Sequence, residues 1–294
     1  MSGHLLFPLI ASWLYVFGVL LVKRSGDYGV GVYRTTFVAN VTTGIVFLLL
    51  LFLHAEPFPG WQHIWEPAAT ALLFIGGQVL TFYAVNKGDV SIATPVLGVK
   101  IILVALFTTL IIGEPVAVKL WISAVMSVAA IALLNRGGKS QQQHHHVKLT
   151  IASAGGAALV FALFDVFVQK YSPAWGAGRF LPIMMGMVAV FSLGFIPFFS
   201  APLRDLSPTA WKWLGGGSFF MAAQGIFFIS TLAVYGKATA SNIMYSSRGL
   251  WSVVAVWLIG HWFKNQEQQL GAAVLKWRLA GAVLMLAAIV LALG

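Results

Sequence analysis

The chain alternates between long unbroken apolar runs and short polar stretches, and no run shows the two-residue alternation of a membrane β-strand. Five runs fill the first half, at residues 5–22, 33–53, 68–86, 91–114 and 116–134. Five more follow at residues 149–170, 178–199, 211–235, 240–261 and 274–293. An α-helix needs about 20 apolar residues to cross a hydrocarbon layer roughly 30 Å thick, and these runs reach that length. The pattern predicts an all-α membrane protein of ten transmembrane helices. Residues 54–67, HAEPFPGWQHIWEP, read as an interfacial loop with its tryptophans at headgroup level. Lys87-Gly88-Asp89 reads as a tight turn between the third and fourth spans, and KNQEQQ as one before the tenth.

The longest polar segment, residues 135–148, contains RGGKSQQQHHHVK and reads as a flexible linker. It separates residues 1–134 from 149–294. Shifting the chain by half its length of 294 residues sets Ala11 on Ala158, Phe17 on Phe164, Val19 on Val166 and Lys23 on Lys170. One residue of slippage then sets Lys100 on Arg248 and Gly113 on Gly260. Each half holds five spans, and an odd number of crossings forces the second half into the opposite orientation. The expected architecture is two inverted five-helix repeats around a central cavity, an arrangement common in secondary transporters.

Composition sharpens this picture. The chain is 59% hydrophobic and 9% charged, with mean hydropathy +0.88, far too apolar for a soluble domain. No cysteine is present, which excludes disulfides, thiolate nucleophiles and thiolate metal sites. The net charge of +10 does not point to nucleic acid, because the basic residues are scattered between apolar runs. The first run has no basic segment before it and reads as a retained helix rather than a cleaved signal. Loops after spans one, three, five, seven and nine carry Lys23, Arg24, Arg34, Lys87, Arg136, Lys139, Lys148, Arg204, Lys212, Lys264, Lys276 and Arg278. The other side carries Lys119, Lys170, Arg179 and Lys237, and twelve against four places both termini outside the cytoplasm.

Two cations break the apolar runs. Lys100 falls near the middle of SIATPVLGVKIILVALFTTLIIGE, and Arg248 takes the comparable place in NIMYSSRGLWSVVAVWLIG. A charge at the centre of a membrane helix costs roughly 2.5–3.5 kcal/mol on insertion scales, and such residues usually serve a substrate or ion path. Lys100 can bind a substrate carboxylate, or it can pair with Asp165 or helix carbonyls. Arg248 shares a helical stripe with Ser241, Tyr245, Trp251 and Ser252, which is poor lipid-facing surface and should line a cavity. Its guanidinium grips a carboxylate bidentately. Asp165, the acidic side chain read as lying well inside a span, can accept a substrate ammonium or a coupling proton, or neutralise one of the cations. Gln78 and Gln224, in corresponding spans, can hydrogen-bond substrate or join helices. Tyr83, Tyr245, Trp13, Phe17 and Trp251 can pack an aromatic or aliphatic substrate, or serve as ordinary packing and belt residues.

The phrase running from Tyr83 and Ala84 through Ser91 and Ala93 to Gly113-Glu114, followed by a span opening near Trp121, resembles the repeated unit of EamA-type transporters in the drug/metabolite transporter superfamily. The ten-span layout extends that resemblance over essentially the whole chain. It implies a fourth helix ending at the Gly-Glu pair, a multi-pass protein of a cell membrane such as the bacterial inner membrane, and no cofactor. The chain departs from the family unit twice. Lys100 stands where a proline is common, and the second half reads Gly260-His261-Trp262 instead of a second Gly-Glu pair, so Glu114 is expected to cap or anchor one helix end.

The expected function is a secondary transporter that exports small amphipathic metabolites, amino acids first among them, by alternating access at a midplane site. The expected partners are a small-molecule substrate and membrane lipid, with the chain acting as a monomer. Carriage of anionic metabolites stays open because of the two cations. Export of cationic drugs ranks lower, since small multidrug pumps use a carboxylate in the first helix and residues 5–22 have none. An intramembrane enzyme would need clustered His, Asp or Glu. The histidines instead lie in loops and at span ends (His4, His54, His63, His144 to His146, His261), without an HExxH pair or a Walker sequence, and no metal site is expected.

Overall fold

The structure is a computed structural model that describes residues 3–53, 55–88, 90–136, 147–259 and 272–294. His54, Asp89, the three linker histidines, Gly260-His261-Trp262 and KNQEQQ lie outside the described residues. Among the described residues the chain is helical without strands. The helices are α1 (Leu6–Gly26), α2 (Val32–Phe47), α3 (Trp65–Asn86), α4 (Val90–Gly98), α5 (Lys100–Phe107), α6 (Val118–Leu134), α7 (Val147–Trp175), α8 (Ala177–Phe191), α9 (Pro208–Tyr235), α10 (Ala238–Tyr245), α11 (Arg248–Ile259) and α12 (Ala272–Leu293). Eight helical stretches among them are long and apolar enough to cross a membrane, and Val118–Leu134 is a shorter apolar helix. Together they make a multi-pass membrane protein.

The expected fourth and ninth spans are each two helices. In the fourth, Pro95 donates no N–H to the helix ladder, and four residues later the ladder tightens: Val99 N–H bonds Val96 O at 3.1 Å and Ile102 N–H bonds Val99 O at 3.0 Å. α5 then passes into one π-helical turn at Thr108–Ile112. The segment ends at Gly113, whose φ of 82° is the left-handed conformation that glycine adopts without steric cost, so the helix stops at the Gly-Glu pair as the resemblance implied. In the ninth, Ser246 Oγ donates back to Ile243 O at 2.6 Å, and Ser247 N–H bonds Met244 O at 3.2 Å. A serine that bonds the preceding turn in this way locally distorts a helix. Both interruptions therefore have local sequence causes, and each places a basic residue first in the following helix.

The chain divides into two compact units, one formed by residues 1–6, 76–166 and 237–294, the other by residues 7–75 and 167–236. Each unit draws on both halves of the sequence. In the first unit α6 packs along α12, and α4, α5, α10 and α11 also pack on α6. The α6/α12 contact is close because Gly281 has no side chain: a Cβ there would lie 2.9 Å from Leu134 N and 3.0 Å from Ala130 O. Small residues bring membrane helices together in this manner, since packing replaces the hydrophobic drive that lipid removes. Ala84, Ala93 and Ala154 form a second buried contact, covered by Val96 and Leu97.

In the second unit α2 packs on α8 and α9. Val30, Val38, Leu206, Ala210 and Leu214 form a buried cluster there, joined by Phe37 and Leu203. α9 begins three residues before the expected span, because Ser207 caps it by accepting Ala210 N–H at 3.1 Å and Pro208 takes the first helical position. Arg34, counted above among loop cations, is buried inside α2. Its guanidinium donates to Val30 O at 2.5 Å, to Gly29 O, and to Ser200 Oγ at 3.0 Å.

Candidate functional site

Asp165 lies deep in α7, fully buried, and Lys100 reaches it from the start of α5. The Lys100 ammonium is 2.7 Å from Asp165 Oδ2, with side-chain exposures of 17% and 0%. One turn back on α7, the Phe161 ring centroid lies 5.7 Å from the same ammonium. That ring has room because Gly77 on α3 carries no Cβ, which would come within 2.7 Å of it. Asn242, on α10, donates its amide N–H to Asp165 Oδ2 at 2.7 Å and to Ala238 O at 3.0 Å. Both donors thus converge on one oxygen. Among the described residues, Asp165 Oδ1 accepts no hydrogen bond. A buried carboxylate costs several kcal/mol to desolvate, and the ammonium and the amide offset that cost at Oδ2 only.

Arg248 opens α11 with its guanidinium carbon 4.7 Å from the Tyr245 ring centroid, a stacked cation–π contact. Lys100, Asn242, Tyr245, Ser246 and Arg248 line a narrow recess of about 20 Å³, and Leu97, Ile101 and Ile131 supply its apolar wall. The two cations of the sequence pattern therefore share one recess, and Lys100 takes up the pairing with Asp165. Chemically the recess brings together two basic residues and an apolar wall, with Asp165 paired to one of the two, groups that suit an anionic or zwitterionic ligand.

The other residues singled out from sequence distribute as follows. Ser241 is fully buried, and its hydroxyl has no hydrogen-bond partner among the described residues. Trp251 is half-buried with its indole N–H in the same condition. Ser252 donates to Arg248 O at 2.8 Å and so spends its hydroxyl on its own helix. Gln78 is half-buried on α3, and Tyr83 is exposed. Gln224, Trp13 and Phe17 belong to the second unit, where Trp13 meets Phe17 edge-on at 4.5 Å and Phe17 faces Phe220 at 6.2 Å.

Sequence reasoning missed Asn242. It stands six residues before Arg248, off the stripe that an uninterrupted helix would carry, and the tightened turn at Ser246-Ser247 changes the phase between the two segments. Its signal was an amide at the start of an apolar run that already held a cation. Glu66 was missed as well, having been assigned to the interfacial loop. It sits in the first turn of α3, 7% exposed, accepting Trp175 Nε1–H at 2.7 Å on one oxygen and holding His63 Nδ1 at 2.9 Å on the other. Among the described residues, Asp165 is thus one of two buried carboxylates. Among the described residues no group of His, Asp or Glu is arranged to hold a metal ion.

Residues 1–136 match the EamA-like transporter family. A comparison with curated protein sequences gives no match. A solved structure described only as "Crystal structure of protein" superposes with a TM-score of 0.70 over 99% of this chain and 97% of that one, at 16% identity. That likeness concerns the fold. The family match covers 136 of the 294 residues and suggests a membrane transporter as the class of protein to which the site is referred.

Proposed function

We propose that the protein is a secondary transporter that exports small amphipathic metabolites, most of all neutral amino acids with aromatic or aliphatic side chains, by alternating access. The observation that carries this reading is the recess in which Lys100 and Arg248 stand together, with the buried Asp165 behind Lys100. Two cations suit a carboxylate, Asp165 suits an ammonium, and the wall formed by Leu97, Ile101, Ile131 and Tyr245 suits a small apolar side chain. The match of residues 1–136 supports transport as the activity. The resemblance in layout and length to the amino-acid exporter YddG favours amino acids as cargo. On this reading the chain is a ten-helix inverted repeat in a bacterial inner membrane, acts as a monomer, and needs no cofactor. The interruptions before Lys100 and Arg248, one in each half, are what such a repeat would place at its site.

The test is counterflow of labelled amino acids into proteoliposomes that contain only this protein. Accumulation of at least one neutral amino acid, lost in Arg248→Ala, is the expected result; absence of counterflow across the whole panel sinks the amino-acid reading. A carrier of anionic metabolites is the second reading, since two cations face the recess and one carboxylate stands behind them. Sugar phosphates run in the same assay decide it. Orientation is checked separately: a cysteine at Gln142 is expected to be shielded from an impermeant thiol reagent in intact cells, and one at Gly3 to be labelled. The absence of native cysteines makes this readout clean.

A further inference from the structure

We propose that Lys100 is a resident counter-cation for Asp165, a built-in stand-in for the ammonium group of the substrate. This rests on the amino-acid reading above and adds the way in which the site distinguishes a zwitterion from a simple anion.

Three observations lead to it. The first is the lopsided satisfaction of Asp165. Lys100 Nζ and Asn242 Nδ2 both lie 2.7 Å from Oδ2, while Oδ1, equally buried, accepts no hydrogen bond among the described residues. A carboxylate built only to hold helices together gains most when both oxygens are bonded, because each unsatisfied buried acceptor costs about 1–3 kcal/mol. The second is the mobility built into the cation. Lysine carries a compact ammonium on a flexible four-carbon stem, and Lys100 lines the recess rather than sitting sealed beneath it. Its ammonium also lies 5.7 Å from the Phe161 ring, one helical turn from Asp165, so a displaced ammonium keeps an attractive neighbour. The third is the rigidity of the amide. Asn242 is tied to Ala238 O at 3.0 Å while it holds Oδ2, so the carboxylate remains oriented whichever cation it faces.

Together these give an exchange. With the recess unloaded, Lys100 neutralises Asp165, and the pair carries no net charge. When an amino acid enters, its carboxylate meets Arg248 and the released Lys100, and its ammonium takes the position on Asp165. An anion without an ammonium can use Arg248 but leaves Lys100 with two competing anions. An amine without a carboxylate must displace Lys100 while offering nothing to draw it away. The zwitterion alone satisfies both ends.

Competition has a measurable signature. Apparent affinity falls by the fraction of molecules in the competent state, so if Lys100 holds Asp165 in nine molecules of ten or more, removing it tightens amine binding by about tenfold or more. The experiment is calorimetric titration of the purified full chain with phenylalanine, phenethylamine, which lacks the carboxylate, and 3-phenylpropionate, which lacks the ammonium. It compares the parent, Lys100→Met and Lys100→Gln, the last keeping a donor for Oδ2 without the charge so that a folded protein is in hand if the methionine variant fails. The expected result is a preference of the parent for phenylalanine. In the Lys100 variants phenethylamine binds about tenfold tighter and 3-phenylpropionate more weakly, and adding Asp165→Asn abolishes the gain. Phenethylamine affinity that is unchanged or weaker in the Lys100 variants, with phenylalanine still bound by the parent, would overturn the exchange and leave the amino-acid reading standing. A parent that binds none of the three compounds, with none bound by the Lys100 variants, overturns both.

Discussion

Among the described residues two carboxylates are buried, and they are treated in opposite ways. Glu66, in the second compact unit, has a partner on each oxygen: the Trp175 indole N–H on one and His63 on the other. Its helix begins beside it, so the charge also meets the favourable end of the helix dipole. Asp165, in the first unit, has two donors on one oxygen and none among the described residues on the other. The first arrangement satisfies a buried charge fully and suits a strut between chain segments far apart in sequence. The second keeps acceptor capacity in reserve beside a movable cation. Burial alone therefore does not mark a binding residue in a membrane protein. On the proposed exchange, the distribution of partners over the two oxygens does.

The largest expected effects separate the two carboxylates directly. Lys100→Met strands Asp165, and removing one member of a buried pair costs about 3–5 kcal/mol, whereas the double variant Lys100→Met with Asp165→Asn recovers most of that loss because no uncompensated charge remains. Thermal melting of the purified proteins reads this. Transport in proteoliposomes is expected to be lost in both, including the double variant whose stability returns. Restored transport in the double variant would make Asp165 a strut like Glu66 and erase the distinction.

Glu66→Ala gives the mirror image. It leaves the Trp175 N–H, on a fully buried ring, without its acceptor, at a cost of about 1–3 kcal/mol. The melting temperature is expected to fall by several degrees, with the transport rate per folded molecule unchanged. A drop in rate at equal folded protein would promote Glu66 from strut to working residue.

How much of this was legible in the sequence follows from the same contrast. The apolar runs gave the helices, since lipid leaves only helices or closed barrels to satisfy the backbone and the runs lack the alternation of a barrel strand, and the cost of an intramembrane charge pointed to Lys100, Arg248 and Asp165. The Lys100–Asp165 partnership was one of two readings that sequence left open. Choosing between them needed the side-chain distance. Asn242 was hidden because a hydrogen-bonded turn at Ser246-Ser247 shifts helical phase, and no periodicity rule anticipates where a serine will bond back to its own helix. Glu66 was hidden by a boundary: starting the third span at residue 68 instead of at Trp65 turned a buried helical glutamate into a loop residue. The interruption at Val99 was foreshadowed by Pro95, yet a continuous apolar run masks it. Periodicity reads faces well and local hydrogen bonding poorly.

Arg248 tests how far the shared recess depends on shape as well as charge. Arg248→Lys keeps the cation but loses the planar fork and the stack on Tyr245, so melting is expected to stay within about 1 kcal/mol of the parent while apparent affinity for a carboxylate-bearing substrate falls roughly tenfold. Equal affinity would show that only the local potential matters and that Arg248 acts as a point charge, as Lys100 does.

The smallest effect is expected at Ser252, a polar group whose bond is already made. Sequence placed it on the Arg248 stripe, but its hydroxyl donates to the Arg248 carbonyl at 2.8 Å, inside its own helix. A bond of this kind adds little to a helix that already satisfies its backbone, and substitutions away from caps, cavities and charges usually change stability by less than about 0.5 kcal/mol. Ser252→Ala is therefore expected to leave melting and substrate affinity near parental values, measured beside Arg248→Lys so that a small change is read against a real one. Were its affinity to fall as far as that of Arg248→Lys, a hydroxyl with its partner satisfied would be serving the substrate, and partner distribution would fail as the criterion that separates Asp165 from Glu66.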